Sequence, residues 1–266
     1  MAPRVATLSA VDPTTLLLTT FVAALITDLA TGLGVLPFFF VRRVGDLVNG
    51  LLLAAAAGMM SVASLVQLLG EAMQLAPGWD VWQVCAGIAA GAAMFFFAAR
   101  FLDDETFDVA GLREAGGAGA LLIVLAMTLH SMPEGVAIGV AYGSGRADFG
   151  LSIALALAIH NIPEGVAIAA ALRGKGVGAL ACLGWAIFSS LPQPIFAPPA
   201  ALGVYYFEPL LPAGLGFAAG AMMFLVTYDL VPEAAKKAGP GKSSAAFALG
   251  LVVMLGLMQA VDGAGY

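Results

Sequence analysis

Two matching stretches decide how this chain is read: HSMPEGVAIGVAYG over residues 130–143 and HNIPEGVAIAAALRG over residues 160–174. Each sets a histidine, a proline and a glutamate inside an apolar run of more than twenty residues, and the only 2 histidines of the protein open the two copies. A carboxylate at the centre of a membrane helix costs about 2.5 to 3.5 kcal/mol on insertion scales, so Glu134 and Glu164 need a compensating reason to be there. A doubly charged cation passing between them supplies one.

The surrounding composition makes the membrane unavoidable. Of 266 residues, 61% are hydrophobic and 11% charged, and the mean hydropathy is +0.97, far from a soluble domain. The chain reads as an all-α polytopic membrane protein. A net charge of -6 gives no basic surface for nucleic acid. Cys85 and Cys182 lie in separate apolar runs without CxxC spacing, which excludes a readable disulfide framework or thiolate zinc site. The first apolar run is too long for a signal-peptide core and reads as a retained span.

Runs long enough to cross a bilayer, roughly 20 residues each, fall at about 14–40, 47–69, 82–102, 118–142, 150–172, 177–204, 210–234 and 243–262. The expectation is eight transmembrane helices in a single transmembrane domain covering 1–266. Pro192, Pro194, Pro198 and Pro199 must bend or break the sixth, and Pro37 and Pro232 weaken the ends of the first and seventh. Basic residues test the count independently, because cytoplasmic loops collect Lys and Arg. Arg42, Arg43, Arg100, Arg113, Arg173, Lys175, Lys236, Lys237 and Lys242 all lie at or beyond the ends of odd-numbered spans, leaving Arg4 and Arg146 elsewhere. Both termini are therefore expected outside the cytoplasm, and a bacterial inner membrane suits the compact chain. The longest polar connection carries Asp103, Asp104, Glu105, Asp108 and Glu114, read as a solvated acidic loop or a weak metal collector.

Within each motif copy His and Glu are four positions apart, which puts imidazole and carboxylate on one helix face. Pro133 and Pro163 each remove a backbone donor, a disturbance tolerated where the helix lines a polar interior. The short turn near residues 143–149 makes the fourth and fifth spans an antiparallel hairpin. Positions whose numbers sum to about 294 then lie at equal depth, by the constant rise of a helix: His130 faces Glu164 and Glu134 faces His160. The stripe Gly135, Gly139 and Gly143, with Gly165 and Ala169 on the neighbour, is expected to let these two helices pack closely. Two imidazoles and two carboxylates near the bilayer midplane make a mixed N and O site suited to Zn²⁺, Fe²⁺ or Mn²⁺. Midplane placement is where an alternating-access carrier holds its substrate. The bland alternative is a structural His–Glu network worth about 1 to 2 kcal/mol; duplication at matched depth weighs against it.

The repeated H-[SN]-x-P-E-G on consecutive helices resembles the ZIP (Zrt/Irt-like) family of divalent metal transporters, especially its prokaryotic GufA-like branch. AAGMM at 56–60, GFAAGAMMF at 216–224 and VPEA at 231–234 are softer echoes. The resemblance implies an eight-helix bundle, a homodimer, and a two-metal site bridged by the glutamates. It implies His130, Glu134, His160, Asn161 and Glu164 as ligands, with Met60 approaching one metal or serving as core filler. Ser131 stands where many members have Asn. Gln193, in SSLPQPIF, stands where relatives often have Glu, which implies a weaker second metal position. No resident cofactor is expected beyond the transported zinc or similar cation.

Asp28 in the first span, and Asp229 with Glu233 near the inner end of the seventh, are further candidates to line the route, although acids near a helix end also reach interfacial water. The rival readings are a metal-selective channel, an exporter and, more remotely, an intramembrane metalloenzyme. The last would place two ligands and a base as HExxH, which the chain does not contain.

Overall fold

Apolar segments inside a bilayer must close their hydrogen bonds within the segment, so a chain built of them winds into helices. The computed structural model describes residues 12–41, 45–76, 78, 81–103 and 118–263. Among these the chain forms eight long helices: α1 Pro13–Leu33, α2 Asp46–Leu75, α3 Val81–Asp103, α4 Ala118–Gly143, α5 Ala147–Gly174, α6 Ala179–Tyr206, α7 Leu210–Ala238 and α8 Pro240–Gly263. Seven of them are long and apolar enough to cross a membrane. The remaining helix, α4, is 26 residues long and by its rise of about 1.5 Å per residue exceeds the hydrocarbon thickness. The acidic residues Asp104, Glu105, Asp108 and Glu114, and the basic residues Arg4, Arg42, Arg43 and Arg113, lie outside the described residues.

The prolines act unequally. α1 is capped by Asp12, whose carboxylate accepts from the Thr14 and Thr15 amides, and it gives way at Gly34 to a 3-10 turn, Leu36–Phe39. α6 breaks at Leu191 into Ala179–Ser190 and Pro192–Tyr206, with Pro192 opening the second half where its missing N–H costs least. Pro198 and Pro199 lie inside that half without ending it. Nor does Pro232 end α7. It follows a π-helical turn, Val226–Leu230, and sits in the first turn of the segment that continues to Ala238, a register change that accommodates a residue lacking an amide hydrogen.

The helices sort into two groups of four. α1 packs on α5 and α6, and α4 on α6 and α5; in the other group α2 packs on α8 and α7, and α3 on α7. The groups meet where α5 faces α2 and α4 faces α7. The glycine stripe of α4 has a different partner from the one expected. A Cβ at Gly135 would come within 2.7 Å of the Gln193 carbonyl, one at Gly143 within 2.7 Å of the Ala201 carbonyl, and one at Gly139 would collide with the Ala197 carbonyl. The stripe therefore seats the second half of α6, in parallel, rather than α5. Gly165 of α5 in turn abuts the Thr31 carbonyl of α1. A small-residue stripe specifies close approach but not to whom, because lipid and helix are equally apolar neighbours.

The α4–α5 turn is Ser144-Gly145-Arg146, with Gly145 at φ 75°. Arg146 pairs with Glu71 at the end of α2 and stacks over Phe149, 5.3 Å from the ring centroid. This pair ties the two helix groups together at one mouth of the bundle. Arg146 is partly solvated, so Glu71→Gln is expected to cost about 1 kcal/mol or less, read by equilibrium unfolding in mixed micelles. A loss several times larger would mean the pair is essential to the fold.

Candidate metal centre

A carboxylate in the middle of a membrane protein persists where something answers its charge, and α4 and α5 bring two such groups together. Glu134, His160 and Glu164 are all buried, and each presents a ligand atom within 4.8 Å of the others. The equal-depth expectation holds for one pair. His160 Nε2 lies 3.1 Å from Glu134 Oε1, a hydrogen bond in the tautomer that carries its proton there. Donors held at 2.0 to 2.2 Å by one zinc ion stand about 3.4 Å apart, so small side-chain rotations close the triangle.

Unused acceptors surround it. Glu164 Oε1, His160 Nδ1 and Asn161 Oδ1 are buried and have no hydrogen-bond partner among the described residues. Buried acceptors without donors are costly, and a cation is the partner that suits several of them at once. The group also has an ordered support. Gln193 Nε2 donates to Glu134 Oε2 at 2.6 Å, while Asn161 Nδ2 donates to the Thr27 carbonyl at 2.9 Å and to Gln193 Oε1 at 3.3 Å. The break in α6 explains how Gln193 gets there. It lies in the first turn of the half-helix Pro192–Tyr206, whose positive dipole end is a favourable neighbour for a carboxylate.

The second expected pair takes another course. His130 Nε2 stands 3.5 Å from Asp229 Oδ2 on the π-helical turn of α7, and its ring meets Phe95 of α3 edge-on, with centroids 6.3 Å apart. It is not part of the Glu134–His160–Glu164 group. The hairpin arithmetic assumes parallel axes, whereas packed helices cross at an angle and diverge away from their closest point. The Asp229 side chain is 50% exposed on the surface of the bundle. Glu233, one turn further along α7, pairs with Lys237 at 3.2 Å. These groups lie toward the end of the bundle that carries Arg100, Arg173 and Lys236, hereafter its basic end.

The remaining candidates are more local. The Ser131 hydroxyl donates to the Met127 carbonyl at 3.2 Å within its own helix. Met60 is buried and belongs to the same apolar core cluster as Leu53, Ala54 and Ala57. Asp28 is fully buried, with both carboxylate oxygens unpartnered among the described residues. It neighbours Thr27, whose carbonyl receives Asn161. The part played by α1, through Thr27 and through Thr31, which accepts from the Ser190 hydroxyl at 2.8 Å, was not legible in the sequence. A backbone carbonyl leaves no signature in residue type, and Phe95 is one aromatic among many.

Known proteins resemble this chain. The family model described as ZIP Zinc transporter matches residues 104–258, a stretch containing both motif copies, Gln193 and Asp229. The zinc transporter GufA of Myxococcus xanthus is 34% identical over 221 residues, covering 80% of this chain and 87% of that protein. The zinc transporter ZIPB of Bordetella bronchiseptica is 31% identical over 241 residues, 87% of this chain and 78% of that protein. The Arabidopsis thaliana protein At3g08650 is 37% identical over 233 residues, 85% of this chain, and the chain spans 36% of its length. With more than half of its residues matched by the family model and most of GufA's length covered, the chain belongs to the ZIP zinc transporter family.

Proposed function

We propose that this chain is a carrier that imports a divalent metal ion, zinc foremost and iron, manganese or cadmium among its chemical neighbours, with Glu134, His160 and Glu164 as its cargo-binding centre. The observation that carries the reading is the burial of two carboxylates and an imidazole within 4.8 Å of one another, an arrangement that is expensive alone and favourable around a dication. Nitrogen and oxygen donors without thiolate suit zinc and its borderline neighbours, and the names of GufA and ZIPB as zinc transporters support zinc as the first metal to try.

The route follows from the charges. A hydrated ion entering at the mouth closed by Glu71 and Arg146 exchanges water for Glu134, His160 and Glu164. His130 and the half-exposed Asp229 then receive it, and Glu233 lies beyond them on the way out. Asn161 and Gln193 position Glu134. The basic end of the bundle faces the cytoplasm by the positive-inside rule, which puts both termini outside. The chain acts as one transmembrane unit in a bacterial inner membrane, as a homodimer.

The test is uptake into proteoliposomes containing a zinc-responsive dye. Saturable influx, competed by Cd²⁺ and Fe²⁺ but not by Na⁺ or K⁺, is the expected result. Influx no faster than in protein-free vesicles overturns the proposal, and flux that does not saturate favours a channel.

A further inference from the structure

The turn from α7 to α8 borders a groove that the metal route does not use. One residue, Gly239 at φ 80°, reverses the chain between Ala238 and Pro240, a backbone conformation that glycine adopts without strain. The end of α7 then leans on α2, where a Cβ at Gly50 would stand 2.8 Å from the Lys237 Cβ and from the Ala238 nitrogen. Beside this contact the three helices leave a half-open cavity of about 290 Å³, walled by Ala54 of α2, Val231 and Ala234 of α7, and Pro240, Ser244 and Phe247 of α8. Five residues of helix separate Lys242 from Phe247, about 7.5 Å along the axis. The groove therefore runs from the polar end of α8 toward the hydrocarbon.

Its walls are apolar and its rim is cationic. Lys236 and Lys237 end α7, and Lys242 lies in the first turn of α8. Their one carboxylate partner is Glu233. Lys237 takes it at 3.2 Å with a side chain only 23% exposed, whereas Lys236 comes no nearer than 3.8 Å and is 82% exposed. Among the described residues Lys242 makes no ion pair, Asp46 at the start of α2 pairs with none of the three, and the Ser244 hydroxyl has no hydrogen-bond partner. Three lysines against one carboxylate leave two positive charges and a hydroxyl donor beside an apolar groove.

Inside a bilayer, a cavity that opens sideways at this depth meets lipid. Phosphate is the group at that level that suits two lysines and a hydroxyl, and an acyl chain suits the walls below it. A zwitterionic lipid carries its own cation and gains less from the rim. A second copy of the chain, related by a two-fold axis along the membrane normal, would bring the same lysines to the same depth and set like charges together. We propose that the groove between α2, α7 and α8 binds one anionic phospholipid, its phosphate held by Lys236, Lys242 and Ser244 and an acyl chain laid along Val231 and Phe247. The site shares no residue with the Glu134–His160–Glu164 centre, so it stands whether or not that centre carries the cargo.

Native mass spectrometry tests it on the delipidated full chain, titrated with phosphatidylglycerol or with phosphatidylcholine of the same acyl chains. The first lipid bound per chain is expected to favour phosphatidylglycerol about 10- to 30-fold, the preference of two lysines near a membrane surface. Lys236→Gln combined with Lys242→Gln should bring the two lipids to within about 2-fold of each other, since that charge contribution is removed. Ala235→Phe, which fills the groove from its lining, should weaken both. Lys175→Gln removes one charge at the end of α5, outside the groove, and should leave the preference intact where Lys242→Gln alone lowers it. Equal affinity of the wild type for the two lipids overturns the proposal, whatever becomes of the variants. So does an equal loss from Lys175→Gln and Lys242→Gln, which would mean diffuse attraction to the basic end of the bundle.

Discussion

Glu134→Gln combined with Glu164→Gln should lower zinc uptake into proteoliposomes by at least about 100-fold, to the level of protein-free vesicles. Ordinary outer-shell changes at metal sites already cost 10- to 100-fold, and here both charges of the centre are removed. Glutamine keeps the shape of glutamate, so the buried helices can pack as before. What disappears is the charge that answers the dication, and an uncompensated ion at this depth has no favourable binding site. The same variant should fold at least as well as the parent, because replacing buried ionisable groups by neutral isosteres is often neutral or stabilising. Correctly inserted protein with parental uptake would place the route elsewhere in the bundle. Undetectable protein would show instead that the acids are structural.

Gly139→Leu should abolish correct assembly rather than merely slow transport. A Cβ at Gly139 would collide with the Ala197 carbonyl and stand 2.7 Å from the Ala200 Cβ, so α4 and α6 would have to separate along the whole stripe from Gly135 to Gly143. Overpacking of this kind costs typically 1 to 3 kcal/mol and more where backbone is the obstacle. It would also draw Gln193 away from Glu134, because Gly135 and Gln193 belong to the same seam. Gly203→Leu provides the comparison. Nothing lies within 4 Å of its added Cβ, and size-exclusion profiles after detergent extraction should show that variant monodisperse and Gly139→Leu aggregated or absent. Equal behaviour of the two would contradict the close α4–α6 contact.

Much of the candidate site was already visible along the chain. The position sum of about 294 brings Glu134 level with His160, and their atoms meet at 3.1 Å; here local rise and a short turn settle depth. Gln193 stood out only by the family resemblance, while the prolines around it pointed to the break that the structure places at Leu191. The same arithmetic placed His130 opposite Glu164, but the structure turns it to Asp229, since depth along a helix says nothing of the angle at which two helices cross. Asp28 was visible only as an acid in an apolar run; its complete burial on α1, one residue from the Thr27 carbonyl that receives Asn161, follows from which helices surround it.

By itself the sequence determined that the chain winds into long apolar helices, where prolines disturb them, and which residue types stand at the depth of the centre. Hydropathy, proline placement and helical rise are properties of a segment and its immediate neighbours. Tertiary structure alone decided that the glycine stripe of α4 seats α6, that α1 anchors Asn161, and that His130 stands beside Asp229. Those are choices among partners. In a bilayer every helix is apolar toward lipid and protein alike, so only the complete packing of the helices determines which face meets which.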